Sequence, residues 1–379
     1  MIGATCRVCL RRLLCALGLG AALASGLAGG AAAQPGLESS ISRAFEAAGA
    51  PAMGVVTATA QGMDALHVRG RHSTLDAMPV APDARWHLGS NAKAMVATLA
   101  LVLARDGVLA LDEPIAAFFP DVAVHPDLGA QPLAALLRHT SGIAANMTPG
   151  QLLSARRSDA TPLAQRAALA HDWLERAPET APGGFAYSNL GYVIAGAAIE
   201  ARTGRDWFSL LEDAVLSPLG IDSAGLGAPA GDAPEGHASF FGLMLRPEPA
   251  DSRTADNPAV MGPAGTLHMS LPDYARFLAS QLPGGPLLTE AERGVLLRAP
   301  DTGAEPPYAL GWAHPVHSLG GRVWQHAGSN TLWLVIARID PAAGRAAAAI
   351  ANAATPAVDA ALRALLDEAL PPPPRDARP

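Results

Sequence analysis

Strand-like patterning in this chain is concentrated near its two ends, with a long helix-patterned stretch between. Near the start, "MGVVTATA" (53–60) and "DALHVRG" (64–70) alternate like a short hairpin, and "ARWHLG" (84–89) reads as a further strand. Near the end, "YALGWAH" (308–314), "GRVWQHAG" (321–328), "TLWLVIARID" (331–340) and "GRAAAAIAN" (344–352) are strand-like runs with hairpin-sized gaps. Helical stripes lie outside them. Leu37, Ile41, Ala44, Phe45 and Ala48 recur at helical spacing before Gly49, and Val358, Leu362, Leu365 and Leu366 do so after Thr355-Pro356. Between the strand-like ends the pattern is helical at 90–105 (Gly107 as cap), 133–137, 163–176, 190–203 and 207–215. Pro/Gly-rich loops separate these helices, the longest over about 225–263. "SLPDYARFLASQL" is one more helix, with Ser270 as N-cap and Pro272 in the first turn. This order predicts an α/β (α+β) fold: an antiparallel sheet flanked by N- and C-terminal helices and built from both ends, with an all-α domain inserted. The expected boundaries are 34–89 and 260–370 for the two parts of the α/β domain and 90–259 for the mostly α domain. The proline-rich tail 371–379 is expected to be disordered.

The first 33 residues read as an export signal. Arg7, Arg11 and Arg12 precede an uncharged stretch from Leu13, and Ala31-Ala32-Ala33 offers a cleavage site before Gln34. The expected location is periplasmic or secreted; the alternative is an uncleaved N-terminal membrane anchor. All three cysteines (Cys6, Cys9, Cys15) lie inside this segment. Its removal excludes disulfides, thiolate metal sites and a cysteine nucleophile together. It also removes three arginines and no acids, leaving the mature chain more acidic than the full-length net charge of −7. With no basic run, nucleic-acid binding is disfavoured. The 11 histidines show no metal-ligand spacing, and no cofactor motif is present, so neither metal nor cofactor is expected.

The chain contains one lysine, Lys93, against 26 arginines. It follows Ser90 by three residues, so on a helix the two side chains share a face. A serine hydroxyl needs a base before it is a useful nucleophile. Lysine can serve once desolvation depresses its pKa, and arginine cannot. The bland alternative is a surface lysine beside an N-cap serine. "FAYSNLGY" adds Tyr187, which can relay a proton, and Asn189, whose amide can bind a substrate carbonyl or orient Lys93. "WQHAGSNTLW" adds His326, Gly328 and Ser329 where one strand turns into the next. Gly328 would allow close backbone approach there, and the Ser329 N–H could be an oxyanion donor. Read alone, each stretch is better explained without chemistry, the first as an Asn N-cap with a packing tyrosine and the second as a plain hairpin turn.

Taken in order, Ser90-Asn91-Ala92-Lys93, Tyr187-Ser188-Asn189 and His326-Ala327-Gly328 resemble the serine β-lactamase and penicillin-binding superfamily. The nearest branch holds class C β-lactamases with related DD-carboxypeptidases, D-aminopeptidases and family VIII esterases. "LLRHTSGI" (136–143), "GPAGTLHMSLPDYARF" (262–277) and "YALGW" (308–312) support the likeness. The resemblance implies that Ser90 is acylated and that Lys93 takes its proton or holds Tyr187 as a phenolate. It implies that Tyr187 protonates the leaving group and activates the deacylating water. Asn189 would contact the substrate's acyl-side amide, and the N–H groups of Ser90 and Ser329 would form the oxyanion hole. His139 of "HTSGI" is expected to be structural. One departure is the histidine at 326, where class C β-lactamases usually carry the lysine of Lys-Thr-Gly. A neutral histidine is a poor carboxylate anchor, which disfavours strong β-lactamase activity.

The expected function is therefore an exported serine hydrolase that cleaves an amide or ester, leaning towards DD-carboxypeptidase or D-peptidase activity. The alternatives are a family VIII-type carboxylesterase, a weak β-lactamase, and a non-catalytic penicillin- or peptidoglycan-binding protein. The expected partner is a small-molecule or peptide substrate, peptidoglycan-derived or an ester, with no stable membrane insertion after cleavage.

Overall fold

Five strands, three from one end of the chain and two from the other in sequence terms of pairing, meet in one antiparallel sheet only because the chain returns to its start. β1 (Ala52–Thr59) and β2 (Gly62–Gly70) form the first hairpin. β8 (Trp324–Ser329), β9 (Leu334–Asp340) and β10 (Arg345–Ala351) form the closing meander. β10 pairs with β1 from Met53↔Ala351 to Thr59↔Arg345, giving the order β2-β1-β10-β9-β8. The computed structural model describes residues 35–240, 244–303, 307–313 and 323–371. The export segment, the tail beyond Pro371, and Gly321 and Arg322 of "GRVWQHAG" lie outside the described residues.

Alternate residues of the central strands serve two cores. Met53, Val55, Ala347, Ala349 and Ile336 face α1 (Pro35–Ala48) and α12 (Pro356–Ala369), which pack on each other. Val56, Ala348, Ile350 and Val335 face the other way, into the main core. There the later helix of the "SLPDYARF" run packs so closely that a Cβ at Gly54 would lie 2.4 Å from Leu271 Cδ1. Alanine is a poor strand former, yet β10 is mostly alanine; burial on both faces between helices favours small side chains over local propensity.

The middle of the chain is mostly helical, as the pattern indicated. After β3 (Arg85–His87) come α2 (Ala92–Arg105), α3 (Pro126–Gly129), α4 (Leu133–Leu137), α5 (Pro149–Arg157), α6 (Pro162–Leu174), α7 (Asn189–Thr203) and α8 (Trp207–Leu211). α2 is buried from Ala92 to Leu103, apolar on every side except at Lys93 and Thr98, as befits a helix at the centre of the helical region. Two local expectations are corrected. The stretch 225–263 is not one loop: it holds β4 (Gly225–Leu226) and a hairpin of β5 (Gly236–Phe240) and β6 (Met244–Glu248). "YALGWAH" forms no strand among its described residues, only isolated bridges, Tyr308↔Ala313 and Ala313↔Gln325. Its Gly311 sits at φ +77° with a Cβ position 2.5 Å from Ala94 Cα, so the segment bends to lie against α2. Downstream, α9 (Gly262–Gly265) leads into β7 (Leu267–Ser270), which pairs with β3 and β4. α10 (Leu271–Ser280) follows, with Ser270 accepting the Asp273 N–H at 3.3 Å as its cap, and then α11 (Glu290–Leu296).

Candidate active site

Ser90 does not begin the long helix. It occupies a 3₁₀ turn, Gly89–Asn91, and α2 starts at Ala92. Side chains three apart stack closely in a 3₁₀ turn, so the Ser90–Lys93 spacing still brings the two groups together. Lys93 Nζ lies 3.0 Å from Ser90 Oγ. It also lies 2.8 Å from Asn189 Oδ1 and 2.5 Å from the Ala264 carbonyl. Lys93 is fully buried at the base of α2, and burial lowers its pKa well below the usual lysine value. A neutral amine has two N–H groups and one lone pair. In that form the Asn189 and Ala264 oxygens would take the two protons and leave the lone pair for the Ser90 hydroxyl.

Asn189 is turned to suit this task. Its Nδ2 donates to Asn146 Oδ1 at 2.8 Å, which fixes the amide with its oxygen towards Lys93. The cap of α7 is Ser188, whose hydroxyl accepts the Gly191 N–H at 2.8 Å and donates to the Ala144 carbonyl at 2.6 Å. Of the two roles open to Asn189 from sequence, orienting Lys93 is the one seen in the contacts.

Tyr187 is hydrogen-bonded to Ser90, and Lys93 Nζ lies 5.1 Å from its ring centroid. Part of its ring reaches solvent, but burial pushes the phenol up to about 12, with the Ser90 contact opposing weakly. The resting tyrosine is therefore a neutral proton donor. His139 supports it from behind: its ring centroid lies 4.2 Å from that of Tyr187, and its Nδ1 accepts the Ser188 N–H at 3.0 Å. Burial, then Lys93, hold its pKa well below the ordinary histidine value. His139 is a buried packing residue at φ +58°, as expected for a structural role.

The edge strand β8 brings the third motif against the 3₁₀ turn. Gly89 adopts φ +51°, and a Cβ there would lie 2.4 Å from the Ser329 nitrogen. A Cβ on Gly328 would lie 2.1 Å from the Leu88 carbonyl and 2.8 Å from the Ser90 nitrogen. Two glycines thus let the backbones touch, with the Ser329 nitrogen against Gly89 and the Ser90 nitrogen against Gly328. The Ser329 hydroxyl is occupied within its own turn, donating to the Trp333 carbonyl at 2.6 Å.

His326 is largely covered by protein. It is buried, and its Nε2 lies 2.9 Å from the Tyr308 hydroxyl. Burial first, and Lys93 second, push its pKa down to about 3, so it is neutral. His326 sits alongside Tyr308, near enough to Lys93 to feel its charge. Alternation along β8 explains this, because Gly328 must face the turn and His326 shares its side while Ala327 is exposed.

Ser90 opens into a cleft of about 230 Å³ lined by Asn146, Met147, Asn189, Asn257, Ser329 and Asn330 among others. Among the described residues, none lining it carries a charge. Sequence reasoning missed Asn146, Ala264, Asn257 and Tyr308. Ala264 and Tyr308 lie in the supporting stretches 262–277 and 308–312, but nothing in them assigns these residues a role, and only folding brings the four to the site.

Residues 41–370 match the Beta-lactamase family. Penicillin-binding protein 4 of Amycolatopsis lactamdurans is 29% identical over 287 residues, 72% of this chain and 73% of that protein. The octameric penicillin-binding protein homologue of Pyrococcus abyssi superimposes with TM-score 0.72 at 21% identity, over 89% of this chain and 77% of the other. The D-amino acid amidase of Ochrobactrum anthropi, complexed with L-phenylalanine amide, superimposes with TM-score 0.68 at 19% identity, over 88% and 97%. Two partly buried polar pairs, Ser90–Lys93 and Lys93–Asn189, therefore sit in the fold these proteins share, and with the match over most of its length the chain belongs to the Beta-lactamase family, as an enzyme of the β-lactamase-related serine hydrolase type.

Proposed function

We propose that the chain hydrolyses an amide or ester through an acyl-enzyme at Ser90. The observation that carries this reading is the Lys93 amine, desolvated and 3.0 Å from Ser90 Oγ, with two other acceptors already holding its protons. In the proposed sequence Lys93 takes the Ser90 proton as the oxygen attacks the carbonyl carbon. The developing oxyanion is met by the Ser90 and Ser329 N–H groups. Tyr187, neutral at rest, gives its proton to the leaving group; the proton on Lys93 replaces it. In the second half water attacks the ester at Ser90, its proton passing to Tyr187 as Tyr187 gives its own to Lys93, and Lys93 then returns a proton to the Ser90 oxygen as the ester bond breaks and the acid leaves. The phenolate form of Tyr187 is disfavoured by its raised pKa.

Within that chemistry, the neutral cleft and the neutral, buried His326 favour substrates with no carboxylate at the leaving end. D-amino-acid amides, amino-terminal D-peptides and simple esters fit better than penicillins. The likeness to a D-amino acid amidase and a penicillin-binding protein supports a D-peptide or D-amide substrate; a carboxylesterase and a weak β-lactamase are the next readings. We also propose that the protein acts after export, on the strength of the amino-terminal signal pattern; among the described residues no helix is long and apolar enough to cross a membrane. Intact mass of the mature protein, followed over time with a penicillin, a D-amino-acid amide and an activated ester, tests the reading. A Ser90-dependent adduct or turnover, lost in Ser90→Ala, is expected. Ligand binding with no adduct and no turnover of any of the three would replace it with a non-catalytic binding role.

A further inference from the structure

β3 ends two residues before Gly89, and the loop ahead of Pro263 carries Asp256; the two meet beneath the oxyanion hole. His87 is fully buried. Its Nδ1 accepts the Gly89 N–H at 3.1 Å, so in its neutral form the ring proton is on Nε2. Nε2 lies 2.9 Å from Asp256 Oδ2 in a bent contact, and neither atom has another hydrogen-bond partner. Two bare acceptors would repel at that distance, which again places the proton between them. The other carboxylate oxygen accepts from Asn330 Nδ2 at 3.0 Å and from the Asn257 N–H at 2.7 Å. Asn330 follows Ser329, and its own oxygen accepts the N–H groups of Leu332 and Trp333 at 3.1 and 3.3 Å. Trp333 closes the circuit by stacking on His87, with ring centroids 5.5 Å apart.

The chain of contacts thus runs from the amide just before Ser90, through His87, Asp256 and Asn330, to the residue just after Ser329. We propose that His87 and Asp256 are positioning residues of the oxyanion hole. They tie the two backbone segments that carry its N–H donors and hold those donors at a fixed separation while charge develops on the substrate oxygen. Neither touches the reacting atoms. Preorganised donors lose much of their effect when displaced by about 0.5 Å, so a brace of this kind acts on the chemical step. The inference rests on the acyl-enzyme reading above.

Asp256→Asn is the discriminating change. The new amide has one oxygen for three donors, so its NH₂ must face either His87 Nε2–H or the Asn330 Nδ2 and Asn257 N–H donors. Moving the His87 proton to Nδ1 would set it against the Gly89 N–H, and flipping Asn330 would set its NH₂ against the Leu332 and Trp333 N–H groups. Every arrangement leaves a donor facing a donor. Loss of a direct oxyanion donor costs about 100- to 1,000-fold in kcat, and loss of its brace should cost less, about 10- to 100-fold. With p-nitrophenyl acetate, Asp256→Asn should show that fall with KM within about threefold of wild type. Inhibition by phenylboronic acid, whose tetrahedral serine adduct uses the same hole, should weaken by a similar factor. A kcat within about twofold of wild type, a raised KM at unchanged kcat, or a kcat loss with unchanged boronate affinity would each overturn the proposal. His87→Asn keeps a short acceptor for the Gly89 N–H but cannot reach Asp256; if Asp256→Asn does not fold, the same three readouts on this variant decide. Ser90→Ala runs in parallel. If wild type shows no Ser90-dependent turnover, the hydrolase reading has failed, and hydrogen exchange judges the brace alone. The Gly89 amide should then exchange about tenfold faster or more in the Asp256 variant, and unchanged exchange would refute it.

Discussion

Asn189→Asp replaces Nδ2, the atom that faces Asn146, with oxygen, so the Oδ1 that lies 2.8 Å from the Lys93 amine becomes part of a carboxylate. In the present site Lys93 is lowered by burial and faces no anion, so it is available as a base. A carboxylate favours the ammonium form. At an effective dielectric of about 20, two unit charges at this distance attract by about 6 kcal/mol, equivalent to about four pH units. The sign follows directly: the variant's Lys93 holds its proton to higher pH, so the acid limb of the pH–rate profile moves upward by several units. At pH 7 acylation should fall by about 100- to 10,000-fold, the range for a lost general base, and recover as pH is raised. The fold should tolerate the change, because the new ion pair is close and the exposed Asn146 can turn its amide to donate to the aspartate. The assay is the pre-steady-state release of p-nitrophenol from an activated ester between pH 5 and about 10, with Asn189→Ala as the uncharged control. An acid limb that stays in place in the aspartate variant, or a rate at pH 7 equal to wild type, would refute the assignment of Lys93 as a neutral base.

Lys93→Arg keeps a cation but should abolish turnover, because a guanidinium does not release its proton; near-native kcat would remove Lys93 as the base. Tyr187→Phe should lower kcat about 100- to 10,000-fold, and an unchanged rate would take the phenol out of proton transfer. His326→Lys would put a second amine in a buried site beside Lys93 and Tyr308, so it should lower the melting temperature rather than create a carboxylate anchor. Unaltered melting with a selective gain on carboxylate-bearing substrates would show that the side chain turns into the cleft after all.

Much of the fold was legible because patterning reports burial. The alternation of "MGVVTATA" and the stripes of α1 and α12 reflect which faces are covered, and those faces are the ones that pack. "YALGWAH" misled for the same reason: it is apolar because it is buried against α2, and burial alone does not distinguish a strand from a bent segment held by Gly311. The 225–263 stretch hid a hairpin, since a half-exposed, Pro-containing strand such as β6 has no apolar run to announce it.

The sequence by itself determined that Ser90 and Lys93 would meet, because three residues is a local distance and helix geometry closes it. It also determined, through the scarcity of lysine, that this cation differs from the arginines. Only the tertiary structure decided what Lys93 can do. Burial lowers its pKa, and its hydrogen-bond partners, the Asn189 and Ala264 oxygens, come from 96 and 171 residues away. The contact between the Ser90 and Ser329 backbones likewise needs two glycines, Gly89 and Gly328, far apart in the chain. The inward turn of His326 follows from the register of an edge strand. Such contacts join residues far apart in sequence, and their energies depend on desolvation, which a linear pattern does not contain and a packed interior supplies.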